Sequence, residues 1–200
     1  MTVAHRPHHL YLVGMMGAGK STVGRVLADR ARTPFVDIDQ HVVSASGRSI
    51  PELFEQSEQH FRQLESASLA EVGSGSVPTV IAVGGGAVLS DENRSLMKGT
   101  GIVVWLRAMP STLRDRVDGG RGRPVLSRSG DLDQVVEALV RERAPYYADV
   151  ADLVVDVDGL DVDDVVGVVM RDLAGLGPAG TGWAGGSGGL AGSGGSRREP

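Results

Sequence analysis

Gly14-Met15-Met16-Gly17-Ala18-Gly19-Lys20-Ser21-Thr22 matches G-x-x-x-x-G-K-[ST] and lies between an apolar run, Leu10–Val13, and an amphipathic stretch, Val23–Ala31. A strand, loop and helix in that order give the motif its meaning. Glycines let the backbone curl until successive N–H groups face one anion, and the helix N-terminus adds positive potential. The motif therefore predicts a nucleoside triphosphate bound by Gly17, Ala18, Gly19, Lys20, Ser21 and Thr22, with Lys20 on the β- and γ-phosphates. The Ser21 hydroxyl can ligate a bridging Mg²⁺.

A second group is Asp37 and Asp39, closing the run Phe35–Asp39, which reads as a strand. On an extended backbone they share one side. Asp37 can orient metal-bound water while Asp39 accepts a proton from a substrate hydroxyl. Two solvated acids at a strand end would give the same pattern. Arg62 lies in a helical stretch, Glu58–Val72, with Glu65 three residues on. It can hold a carboxylate in a bidentate fork with Glu65 as a brace, although an ordinary exposed helix arginine fits the same spacing. Gly84-Gly85-Gly86 permits close approach of backbone to a ligand, or simply makes a turn. The Gly- and Arg-rich loop through Arg123-Pro124 has the character of a lid that brings positive charge to the phosphates.

These groups need a scaffold. Apolar runs at Leu10–Val13, Phe35–Asp39, Thr79–Val83, Ile102–Leu106 and Leu153–Val155 alternate with helical patterns throughout. Helices are expected from Ser49-Ile50-Pro51-Glu52 (a capping box with proline in the first turn), over Glu58–Val72, from Ser90 to Met97, and over Pro110–Val117, Leu132–Ala144 and Asp161–Leu173. Continuous apolar strands between helices predict an α/β fold with a five-stranded parallel sheet covered on both faces. Ligands in such folds lie beyond the carboxyl ends of the strands, where all three groups fall.

Composition sets the outer limits. Two hundred residues, 41% hydrophobic and 22% charged, suit one domain with a real core. A net charge of −5 argues against a nucleic-acid partner, and the absence of cysteine excludes disulfides and thiolate metal sites. Residues 1–8 read as a polar leader without a signal-peptide apolar core, and no apolar run is long enough for a membrane span. A cytoplasmic monomer is expected. His5, His8 and His9 crowd this end; a metal site and a mobile polar leader are both conceivable, and the leader is preferred for want of a nearby carboxylate. The tail from Gly175 to Pro200 holds eleven glycines in 26 residues and is expected to be disordered, with Trp183 solvated and the tail dispensable for stability.

Taken together, residues 9–174 resemble the shikimate kinase family. The resemblance rests on Gly14–Thr22 with Val23-Gly24-Arg25, Asp37-Ile38-Asp39, Gly47-Arg48-Ser49-Ile50, Glu58 with Phe61-Arg62 and Glu65, Gly84–Gly86, Arg123-Pro124, and Arg143-Ala144-Pro145 with Tyr147. It implies ATP-dependent phosphorylation of the 3-hydroxyl of shikimate, a step toward aromatic amino acids, on a P-loop kinase fold. Substrate-binding helices would span about 39–72 and a lid about 118–130. By the same resemblance Asp39 is the base and contacts the ring hydroxyls, and Asp37 sits near Mg²⁺ through water. Arg62 and Arg143 grip the substrate carboxylate, and Gly85 offers its N–H to the ring substituents. Arg123 is the lid arginine, Arg116 packs on adenine, and Phe54 and Phe61 wall the pocket. Ser57 departs from the family's usual glycine, and Val125-Leu126 from a second leucine. Rival readings are a kinase for gluconate or an aminated shikimate relative, and a non-catalytic nucleotide sensor.

Overall fold

The structure, a computed structural model, describes residues 9–118, 132–177 and Trp183. At its centre is β1 (His9–Val13), all five residues buried. A strand with no solvated face has no polar/apolar alternation to show, which is why Leu10–Val13 reads as a plain apolar run. Around it stand β2 (Phe35–Asp37), β3 (Val80–Ala82), β4 (Gly101–Arg107) and β5 (Leu153–Asp156). They form one sheet in the order β2-β3-β1-β4-β5, with every pair parallel. Leu10 is in register with Val80 on one side and Ile102 on the other. The strands therefore end along one edge, and the segments after Val13, Asp37 and Ala82 emerge beside each other.

Among the described residues, eight α-helices connect and cover the sheet: α1 (Lys20–Ala31), α2 (Ile38–Ser46), α3 (Ile50–Gln56), α4 (Glu58–Gly73), α5 (Asp91–Thr100), α6 (Pro110–Asp118), α7 (Leu132–Val150) and α8 (Val162–Gly175). α1 packs on α8, while α5 packs against both α4 and α7, giving helices on both faces of the sheet. α1 approaches β2 closely because residue 24 has no side chain: a Cβ there would lie 2.5 Å from the Phe35 ring. α3 opens with the expected capping box, Ser49 accepting from Glu52 N–H while the Glu52 carboxylate accepts from Ser49 N–H.

Several expectations change. The run Phe35–Asp39 does not stay extended. Asp37 caps α2, accepting hydrogen bonds from the N–H groups of Asp39 and Gln40, so Asp39 sits in the first helical turn. α2 falls in the span of about 39–72 that the resemblance gives to substrate-binding helices, but the residue pattern there reads as a strand. Helix signals are nonetheless present: an aspartate cap, Ile38 and Val42 one turn apart and both buried, and Gly47 in the left-handed conformation as the stop. α7 runs through Pro145 to Val150 instead of ending at Ala144. Burial of Tyr147 and Val150 offsets the one helical hydrogen bond that proline removes. Helical spacing puts Phe61, Leu64, Ala67 or Ser68, and Glu71 in one row of α4; the buried stripe keeps Phe61 and Ser68 and adds Glu65 and Leu69. His9 is a buried strand residue bonded through Nε2 to the Gly75 carbonyl, so it takes no part in an exposed histidine cluster. Trp183 is 5% exposed and joins the hydrophobic core, contrary to the expectation of a solvated ring. His5, His8, the lid with Arg123, and the rest of the tail beyond Gly177 lie outside the described residues.

Candidate active site

A cavity of about 500 Å³ opens at the carboxyl edge of the sheet, between the loop after β1, the start of α2, helices α3 and α4, the glycines after β3, and α7. Its walls include Gly17, Gly19, Lys20, Ser21, Thr22, Asp37, Asp39, Arg62, Gly85, Arg116 and Arg143. Every described residue that the sequence nominated for chemistry is therefore in one place, apart from Ala18, which is buried beneath the loop.

The loop after β1 is a built anion cradle. Gly14, Gly17 and Gly19 have φ of 141°, 83° and 96°, conformations that side chains resist. Gly14 is doubly constrained, since a Cβ there would lie 2.5 Å from the Leu106 carbonyl oxygen. Val23 N–H bonds to the Gly19 carbonyl at 2.9 Å, so α1 starts directly on the loop and its amino end faces the cavity. Lys20 Nζ folds over the loop, donating to the carbonyls of Gly14 (2.8 Å) and Met15 (2.9 Å). Arg116, on α6, spans the opposite side, from Gly17 O at 3.5 Å to Val157 O at 3.4 Å.

The second element is an oxygen pair. Ser21 Oγ donates to Asp37 Oδ2 at 2.5 Å, linking the P-loop to the end of β2. A hydroxyl and a carboxylate are hard donors of the kind Mg²⁺ takes together with water and phosphate oxygens, so the residues present fit that ion. Asp37 spends its other oxygen on the α2 cap, which fixes its orientation.

The third element is a charged floor. Arg62 is held from both sides, by Glu65 at 2.7 Å and Glu58 at 3.6 Å. Its guanidinium lies 5.6 and 5.2 Å from the ring centroids of Phe54 and Phe61, which pack on each other at 4.5 Å. The brace expected of Glu65 is present, but its depth is not something helical spacing reveals. Glu65 is 1% exposed, and burial pushes its carboxyl pKa up, with the Asp39 charge adding to the rise and the Arg62 and Arg143 charges opposing it. Arg143 is 4% exposed. Glu65 Oε1 and Arg143 Nε are both buried, and among the described residues neither has a hydrogen-bond partner. Buried polar atoms that line a cavity and lack partners are groups a polar ligand can satisfy.

Gly84–Gly86 run across this floor with no room for side chains. A Cβ on Gly84 would meet Glu65 Oε1 at 2.0 Å and Asp39 Oδ1 at 3.0 Å, and one on Gly86 would meet Arg62 Nη1 at 2.4 Å. The glycines exist so that charged groups can sit against bare backbone. Tyr147 was noted in the sequence without a role. It is fully buried, its ring stacks on Trp105 at 5.5 Å, and its hydroxyl donates to the Gly85 carbonyl at 2.6 Å. Burial raises its phenol pKa beyond the usual tyrosine range, so the hydroxyl keeps its proton. Its position four residues after Arg143 was the available signal, since it places both on one face of α7.

An anion cradle and the Ser21–Asp37 oxygen pair, facing a floor of two arginines and two acids, can bring a triphosphate to a small hydroxylated acid. Comparison with known proteins agrees. A family model described as shikimate kinase matches residues 16–174. Shikimate kinase of Symbiobacterium thermophilum is 41% identical over 175 residues, covering 86% of this chain and 99% of the relative. That of Stenotrophomonas maltophilia is 42% identical over 167 residues, covering 83% and 92%. Among solved structures, shikimate kinase from Acinetobacter baumannii in complex with shikimate superposes with a TM-score of 0.82 at 32% identity, covering 86% of this chain and 95% of that one. This chain belongs to the shikimate kinase family.

Proposed function

We infer that this chain transfers the γ-phosphoryl group of ATP to the 3-hydroxyl of shikimate, giving shikimate 3-phosphate and ADP. The observation that carries the reading is the convergence of Arg62 and Arg143 with Asp39 and the P-loop in a single cavity, in a chain of this family. Two guanidinium groups on one floor suit one carboxylate, and they fix which hydroxyl of the acceptor reaches the phosphates.

In this mechanism the substrate carboxylate lies on Arg62 and Arg143, the ring against Phe54 and Phe61, and the Gly85 N–H on a ring substituent. The 3-hydroxyl oxygen attacks the γ-phosphorus, the bond to the β,γ-bridging oxygen breaks, and Asp39 accepts the hydroxyl proton. Lys20 leaves the carbonyls of Gly14 and Met15 for the phosphate oxygens, adding positive charge where negative charge gathers. Ser21 and Asp37 would hold Mg²⁺, Asp37 through water; the ion supplies charge neutralisation on the β- and γ-oxygens. Arg116 packs on the nucleotide base, and Arg123, as the lid arginine, closes on the phosphates. On this reading the chain acts as a cytoplasmic monomer on a small-molecule acceptor, and its net charge of −5 speaks against a nucleic-acid partner. Among the described residues, no helix is long and apolar enough to cross a membrane.

Proton spectra of the product, recorded with and without phosphorus decoupling, test the regiochemistry. A phosphorus coupling on the ring proton at carbon 3 is expected. Phosphate on another hydroxyl, or on the carboxylate, would overturn the assignment of Asp39 and the two arginines.

A further inference from the structure

The Gly84–Gly86 loop brings its backbone to the acceptor, so something must fix how its peptide planes face. Among the described residues, neither the Gly85 nor the Gly86 N–H has a backbone acceptor. The loop is pinned at its ends, by Val83 N–H on the Leu12 carbonyl and Ala87 N–H on the Gly84 carbonyl. Between those points lie residues with the widest backbone freedom of any type. Among the described residues, the side-chain hydrogen bond to this stretch is the 2.6 Å bond from Tyr147 to the Gly85 carbonyl. Tyr147 also approaches Met15 Sδ at 3.7 Å, but a phenol has a single proton, and the short, strong contact is with the carbonyl.

We propose that Tyr147 is a positioning residue: its hydroxyl, on the Gly85 carbonyl, sets the peptide plane between Gly85 and Gly86 and couples the glycine loop to Arg143 on the same helix. The geometry of a trans peptide carries the first half. The carbonyl of residue 85 and the N–H of residue 86 point in opposite directions across one rigid plane. Anchoring Gly85 O toward α7 turns the Gly86 N–H away from it, and bare backbone at Gly86 already faces the Arg62 guanidinium. The second half follows from α7. Arg143 and Tyr147 are one turn apart, both buried, and the Arg143 charge acts on the phenol. The stack of Tyr147 on Trp105 fixes the ring from behind, on β4. A shift of α7 therefore moves the carboxylate-gripping arginine and the glycine loop together, and the two halves of the acceptor site keep their spacing. This deepens the proposed function and rests on its placement of the acceptor between Arg143 and the loop.

The test is Tyr147→Phe, which keeps the ring and its stack on Trp105 and deletes only the donor. With each substrate varied against saturating co-substrate, KM for shikimate should rise about three- to ten-fold, the range of one neutral hydrogen bond. KM for ATP and kcat should stay within about two-fold of wild type. Thermal melting confirms that the variant is folded at the assay temperature; a fall in Tm alone does not separate the roles, because any structural hydrogen bond would produce it. An unchanged KM for shikimate, or equal rises in both KM values, would overturn the proposal. Wild type is measured first against shikimate and gluconate. If it uses only gluconate, the substrate assignment has failed, and the ratio of KM values for gluconate then tests Tyr147 in the same way.

Discussion

At the scale of single residues, the proposed reaction gives Arg62 and Asp39 different duties toward one acceptor. Arg62 is oriented by Glu65 and Glu58 before any ligand arrives, so its fork is present in ground and transition states alike. Arg62→Ala should therefore raise KM for shikimate roughly ten- to a hundred-fold, as for a lost hydrogen bond to a charged group, with a smaller fall in kcat. Asp39→Asn keeps shape but cannot take the proton, and should lower kcat by about 10²–10⁴. Steady-state kinetics at saturating ATP read both, and an Asp39→Asn enzyme with unchanged kcat would make Asp39 a binding residue only. Glu65 yields a prediction about pH. Its carboxyl is raised, so the folded chain keeps that proton to higher pH than the unfolded chain does. The associated stability is full below the unfolded glutamate value, about 4.3, and is lost as pH rises through the raised folded value. Glu65→Gln removes that dependence, so Tm of the variant minus Tm of wild type should be larger at pH 8 than at pH 5. An identical difference at both pH values would show that Glu65 does not hold this proton.

At the scale of elements, what the sequence revealed follows from where each signal is stored. The P-loop, the capping box of α3 and the five strands rest on local chemistry, glycine conformations, side-chain caps and apolar runs, and all of them are present. α2 was missed because two acids around one isoleucine suit a strand end as well as a helix cap, and only the packing of Ile38 and Val42 on the core decides between them. Pro145 misled for the same reason: the local penalty is real, and burial further along α7 outweighs it. The contact of α1 with β2 is a packing fact that local signals do not carry, and it gives a direct check. Gly24→Ala would drive a methyl to 2.5 Å from the Phe35 ring. Overpacking of about 1–3 kcal/mol should lower Tm by roughly 2–10 °C. A variant melting at the wild-type temperature would mean that Phe35 swings away without cost.

At the scale of the whole molecule, sequence order scattered the candidate site over more than a hundred residues, and the parallel sheet gathered it at one edge. Membership of the cavity was legible because Asp37, Gly84 and the P-loop follow strands. The depth of Glu65 and the hydrogen bond of Tyr147 were not, since both depend on how α4 and α7 pack. Trp183 was misjudged because a lone aromatic among glycines has no local partner to announce its burial. Its burial reverses the expectation for the tail: Trp183→Ala should cost about 1.5–3 kcal/mol of stability, measured by denaturant unfolding, while kcat holds. Unchanged stability would return Trp183 to solvent.

The reaction itself is tested by ADP release from the purified full chain and ATP, followed with shikimate, quinate, gluconate and no acceptor in parallel. Rapid ADP release that requires shikimate, with gluconate near the no-acceptor rate, is the expected result. Turnover with gluconate and none with shikimate would contradict it, and ATP binding without turnover on any acceptor would mark the chain as a nucleotide sensor instead of a kinase.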